Sequence, residues 1–185
     1  MGAQKIRVYD AGRIIEFGYG DLLSAHGGEM PGGVALVFKM MAYVFGEVAK
    51  EIPVRGTCSF YSGLGGNGKG IIDGADFVMQ VRKTGRLFMD LSHCEDKDAP
   101  LAPGGGKYYF ELGFNGKLFA VRVRENVIPK EFFDFSKFIH QKKFQSKNIT
   151  EEEENRLKEL RWQLSETIMR ADSNAIFIVE RKEIR

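Results

Sequence analysis

The sequence predicts an α+β fold: an antiparallel or mixed sheet packed on one long buried helix, with a helix and a strand closing the chain. Three observations lead there. VALVFKMMAYVFGEVAKEI is apolar around almost its whole circumference, as a central helix is. KYYFELGFNGKLFAVRVREN alternates on both sides of Asn115-Gly116, as a hairpin does. The order of elements is strand, buried helix, antiparallel strands, helix, strand, without the repeated βαβ units of a parallel sheet.

The apolar run Ile14 to Phe17 reads as the first strand, followed by a glycine-rich loop. Pro31 suits the first position of a helix, where its missing N–H costs nothing. The helix then runs from about Gly32 to Lys50, with Val34, Leu36, Val37, Met40, Met41, Val44, Phe45 and Val48 spread around it. IPVRGTCSFYSG reads as a strand, and DFVMQVRKTGRLFMDLS as two strands joined near Thr84-Gly85. In the hairpin, Phe110, Leu112 and Phe114 answer Phe119, Val121 and Val123, and Asn115-Gly116 tolerates the positive φ of a type I′ turn. PKEFFDFSKFIHQKKFQSKN, about residues 130–150, reads as a short helix and a connecting arm. TEEEENRLKELRWQLSETIMR is a helix with Thr150 and Glu153 as its capping box. Its four glutamates fall in the first turn, where negative charge is favourable, and Leu157, Leu160, Leu164 and Ile168 form one apolar face. NAIFIVERK closes the chain as a strand.

Length and composition fit one domain over residues 1–185, with its core at about 14–182. The 27 basic and 25 acidic side chains leave a net charge of +2, which gives no ground for nucleic acid or an anionic membrane as partner. The N-terminus lacks the apolar run of a signal peptide, no transmembrane helix is expected, and two lone cysteines, Cys58 and Cys94, suit the cytoplasm.

SGLGGNGKG, residues 62–70, meets the nucleotide-binding pattern G-x-x-x-x-G-K at Gly63, Gly68 and Lys69. That pattern needs Ser or Thr next, for magnesium, and a helix immediately after. Here Gly70 follows, and the β-branched Ile71 and Ile72 with Gly74 argue against a helix start. The stretch therefore reads as a wide turn between strands, and no nucleotide is expected.

Several stretches together resemble the FmdE-like family, proteins related to the E component of formylmethanofuran dehydrogenase. HGGEMPG stands directly before the apolar helix, where that family has a motif of the form H-G-H-x-C-P-G. TCSFYSGLGGNGKG resembles a shortened version of the family's cysteine strand and its T-G-x-T-x-G-K-G-N segment. The family motif looks like a transition-metal site, zinc above all, because imidazole and thiolate suit that ion. This chain keeps His26, Pro31 and Gly32, but has Gly28 and Met30 at the places of the second histidine and the cysteine. The resemblance implies a homodimer, membership of a larger enzyme complex, and a link to one-carbon metabolism. It implies an accessory or ligand-binding protein rather than a dehydrogenase, since two cysteines cannot hold a four-cysteine cluster.

The candidate metal ligands are His26 and Cys58, with His93 and Cys94 of SHCED as weaker candidates and Glu29, Asp73 and Asp76 as oxygen donors. Gly27, Gly28, Glu29, Gly68 and Lys69 are the candidate ligand-binding residues, because the loop before Pro31 leaves helix amides free for a carboxylate or phosphate and Lys69 attracts anions. Each has a plainer reading: a loop histidine bonded to backbone, a buried apolar thiol, a solvated lysine. Tyr61, Tyr108 and Tyr109 either line a pocket or fill the core. No catalytic residue can be named. The alternative function is a small metal-assisted enzyme using His26 and an acidic residue. Phe132, Phe133, Phe135 and Phe138 suggest a packed surface under the last helix or across a dimer.

Overall fold

The computed structural model describes residues 4–183 and is an α+β fold. It opens with a two-stranded antiparallel hairpin, β1 (Ile6–Asp10) and β2 (Arg13–Phe17). Helix α1 (Tyr19–His26) follows, then α2 (Pro31–Tyr43), which runs on into a π-helical turn at Val44–Ala49. The main sheet has five strands in the order β4-β3-β5-β6-β7. These are β3 (Ser59–Ser62), β4 (Leu87–Phe88), β5 (Tyr109–Phe114), β6 (Lys117–Val123) and β7 (Phe177–Lys182). The sheet is mixed, with β3 and β4 parallel and the other pairs antiparallel. The remaining helices are α3 (Lys69–Met79), α4 (Lys130–Phe144), α5 (Glu151–Arg170) and the short α6 (Ser173–Ile176).

Helix α2 forms as its sequence requires. Pro31 occupies the first turn, and eleven residues from Pro31 to Ala42 are buried. One side meets the sheet: Phe45 makes an edge contact with Phe114, and Tyr43 stacks on Phe177. The other sides are covered by α1, α3 and α5. By length and composition the segment Pro31–Ala49 would cross a membrane, but 67% of it is buried inside the protein, as a core helix is. The hairpin register puts Phe110 opposite Val121 and Leu112 opposite Phe119, with Asn115 at φ 50° and Gly116 at φ 70° in the turn. Thr150 Oγ1 accepts the Glu153 amide while the Glu153 carboxylate accepts the Thr150 amide, completing the capping box of α5. Leu157, Leu160, Leu164 and Ile168 are all buried.

Four expectations are corrected. Residues 69–79 form α3, not a strand, so DFVMQVRKTGRLFMDLS gives the end of a helix, a turn and the two-residue β4. The β-branched and glycine residues that argued against a helix serve its packing: Ile71, Ile72, Gly74, Ala75 and Val78 are buried. Residues 19–26 form α1 rather than loop, and β1 precedes the first expected strand. Residues 130–144 are one fifteen-residue helix rather than a short helix with an arm. The glycine-rich stretch therefore does run from a strand into a helix, and the helical context denied to the nucleotide pattern is present; the missing Ser or Thr after Lys69 remains the departure.

Candidate functional site

His26 is the last residue of α1, and its side chain is out of solvent (0% exposed). Its Nδ1 lies 2.8 Å from Asp73 Oδ2 on α3, and its Nε2 accepts the Met30 amide at 3.2 Å. With Nε2 accepting the Met30 amide, Nδ1 is the ring nitrogen that donates to Asp73. Asp73 is also gripped by Arg82 at 2.6 Å. Burial alone would raise the Asp73 carboxyl, but the Arg82 and His26 hydrogen bonds outweigh it and hold it below the usual carboxylate range. His26 thus ties α1, the entry of α2, and α3 together, and both ring nitrogens are in use.

Cys58 is fully buried just before β3, with its thiol directed at the Val54 carbonyl 3.4 Å away. Burial pushes that thiol up to about 12, the opposite of what a ready thiolate ligand needs. Cys94 is also buried, turned toward the carbonyls of Leu91 (3.2 Å) and Gly63 (3.5 Å). His93 beside it reaches instead to Glu111 Oε1 at 3.0 Å and packs edge-on against Tyr61. Tyr61, Tyr109, Cys94 and Ala120 make a small second core on that face of the sheet. Among the described residues no three His, Cys, Asp or Glu side chains gather as a metal set.

A deep cleft lies elsewhere, where the N-termini of α2 and α3 meet the inner faces of α4 and α5. Its cavity volume is about 90 Å³, several times what one water needs and so room for a few waters or a small ligand group. The two helix starts touch backbone to backbone. A Cβ on Gly33 would come within 3.3 Å of the Ile71 amide nitrogen, and one on Gly70 within 2.8 Å of the Met30 carbonyl. Neither helix has an acidic residue in its first turn or a side-chain cap. The amides of Gly32, Gly33, Gly70 and Ile71 find no acceptor among the described residues, and all four residues line the cleft.

The apolar walls are Leu36, Leu64, Ile71, Ile128, Phe132, Leu164 and Ile168. Set into them are Tyr108, Ser136, His140 and Arg161. Tyr108 and Ser136 are 5% and 7% exposed; neither hydroxyl makes a hydrogen bond among the described residues, and both keep some exposure where they line the cleft. Burial raises the Tyr108 phenol above its ordinary range, so it stays a donor. The Arg161 guanidinium makes a single long bond, 3.4 Å to the Glu29 carbonyl, and burial lowers its pKa. Burial also lowers His140, helped by the charges of Lys143 and Arg161. No Asp or Glu lines the cleft.

Of the expected ligand-binding residues, only Gly68 lines the cleft. Lys69 is exposed and reaches to 3.8 Å from Glu29. Gly28 and Glu29 edge a shallower depression beside Arg161, and Gly27 caps α1 in the left-handed region at φ 85°. The histidine that faces the glycine loop across a cavity is His140, not His26. Two sequence signals point to the missed residues. Arg161 interrupts the inward stripe Leu157, Leu164, Ile168 at helical spacing, and Phe132, Ser136 and His140 recur every four residues on α4. No protein-family model matches this sequence, and no curated protein matches it either.

Proposed function

We propose that the protein binds a small molecule in the cleft between α2, α3, α4 and α5, in the accessory, ligand-binding role that the resemblance to the FmdE-like family implies. One observation carries the reading: the hydroxyls of Tyr108 and Ser136 line this cleft with no protein partner, on side chains that are more than nine-tenths buried. Both hydroxyls open onto the cleft from nearly enclosed side chains, so what enters the cleft, water or ligand, is their free partner. The mix of apolar walls and a few convergent polar groups supports the same reading. A link to one-carbon chemistry rests on the resemblance alone.

A metal held by His26 and Cys58, as the site of an accessory protein or of a small enzyme, asks more of the chain. It requires His26 to give up Asp73 or Met30, and Cys58 to lose a proton that burial holds tightly.

Two-dimensional NMR titration with a fragment set tests the cleft. Fragments should shift the amides of Gly33, Gly70, Ser136 and His140 together, and Ser136→Phe, which fills the space, should abolish those shifts. Perturbations confined to other surfaces, or unaffected by Ser136→Phe, would overturn the reading.

A further inference from the structure

The chemistry of the cleft also limits what can occupy it. Among the described residues Arg161 is its only permanent cation; no carboxylate lines the cleft itself, and Glu29, beside Arg161 in the neighbouring depression, is outweighed by the burial of the guanidinium. A guanidinium has five N–H donors in a planar fork, and here only Nη1 is engaged, by one long bond. Lys69, the other cation near the glycine loop, does not line the cleft and lies 3.8 Å from Glu29. His140 lies among neighbours that favour its neutral form. The cleft thus offers one positive charge, two hydroxyl donors and the amides of two helix starts to a ligand's head. For the rest of the ligand it offers side chains such as Leu36, Phe132 and Ile168.

We infer that the ligand is an organic monocarboxylate with a flat apolar body, its carboxylate received by the Arg161 fork with the Ser136 and Tyr108 hydroxyls donating to it. This deepens the small-molecule reading above and rests on it. Planar carboxylates match the guanidinium fork two bonds to two, and a single negative charge matches the single cation. A phosphate monoester, near two negative charges at neutral pH, meets one side-chain cation in the cleft and would depend on the helix amides for the rest. A neutral ligand would leave Arg161 with only Glu29, outside the cleft, as counter-charge.

The test is isothermal titration with three probes: 2-naphthoate, its neutral analogue 2-naphthamide, and inorganic phosphate. Naphthoate should bind at least about tenfold more tightly than naphthamide, the factor a charge-assisted pair supplies. Arg161→Gln should weaken naphthoate far more than naphthamide and so remove most of that preference. Arg161→Lys should keep part of it, since the charge stays and the fork is lost. Ser136→Ala, which leaves Arg161 in place, should weaken naphthoate more than naphthamide. Unfolding curves establish that each variant is folded. Equal affinity for naphthoate and naphthamide overturns the carboxylate and leaves the small-molecule cleft standing. Phosphate binding more tightly than naphthoate, with loss in Arg161→Gln, overturns it in favour of a phosphate ligand. Failure of all three probes to bind the wild-type cleft at millimolar concentration, together with a failed fragment titration, sinks both readings.

Discussion

His26 joins three helices through two hydrogen bonds made by one buried ring. His26→Ala leaves the Met30 amide unpaired and removes one of the partners of Asp73, a loss of about 1–3 kcal/mol. Urea denaturation should show it. A metal site makes a different prediction, namely stoichiometric zinc that leaves with either His26→Ala or Cys58→Ala. The hydrogen bonds predict lower stability in His26→Ala with elemental content unchanged. His140 carries a pH signature. Burial, Lys143 and Arg161 hold its folded pKa below the ordinary 6.5, so between the two values the unfolded chain binds the extra proton. The His140 contribution to stability is therefore fully present above pH 6.5 and is lost as the pH drops through 6.5 toward the lower folded value. His140→Gln should flatten that part of the stability–pH curve. Little of the candidate site was legible in the sequence. A helix starting at Pro31 and a glycine loop at Gly68 follow from residue type, but Gly27, Gly28, Glu29 and Lys69 do not line the cleft. The pairing of His140 with Arg161 was not legible, because their meeting depends on how α4 and α5 cross, and no local pattern encodes that.

At the scale of elements, the sequence was most legible where one signal dominates. The all-round apolar α2, the Asn115-Gly116 hairpin and the capped α5 have strong local signatures, and each forms as expected. Helix α3 was hidden because its composition answers to tertiary packing. Glycine and β-branched residues lower helix propensity, yet here they let α3 lie against α1 and α2. Gly74 is the clearest case, since a Cβ there would sit 2.5 Å from Val37 Cγ1. Gly74→Ala should cost about 1–3 kcal/mol through overpacking. Gly20→Ala in α1, where a Cβ meets nothing within 4 Å, should instead stabilise by about 0.5–1 kcal/mol. Thermal unfolding of the two variants should show opposite shifts. Helix α4 was misjudged for a related reason. Its phenylalanines are divided between the cleft, where Phe132 lies, and the outside, where Phe138 and Phe144 are 43% and 92% exposed, so no single apolar stripe announces a helix.

For the molecule as a whole, α4 rests mainly on α5, while α2 is enclosed on every side. Local opening follows that difference. Amides of α4 should exchange with solvent faster than those of α2, and 2-naphthoate should slow α4 selectively, as hydrogen-exchange mass spectrometry can read. The contact of Gly33 with Gly70 has a further consequence. Each helix start behaves as roughly half a positive charge, and these two are pressed together beside Arg161 with no acidic side chain in either first turn. Like poles repel, which works against their close approach. On the proposed reading, a carboxylate held by Arg161 would offset part of that repulsion. A variant weakened far from the cleft should then recover stability when 2-naphthoate is added.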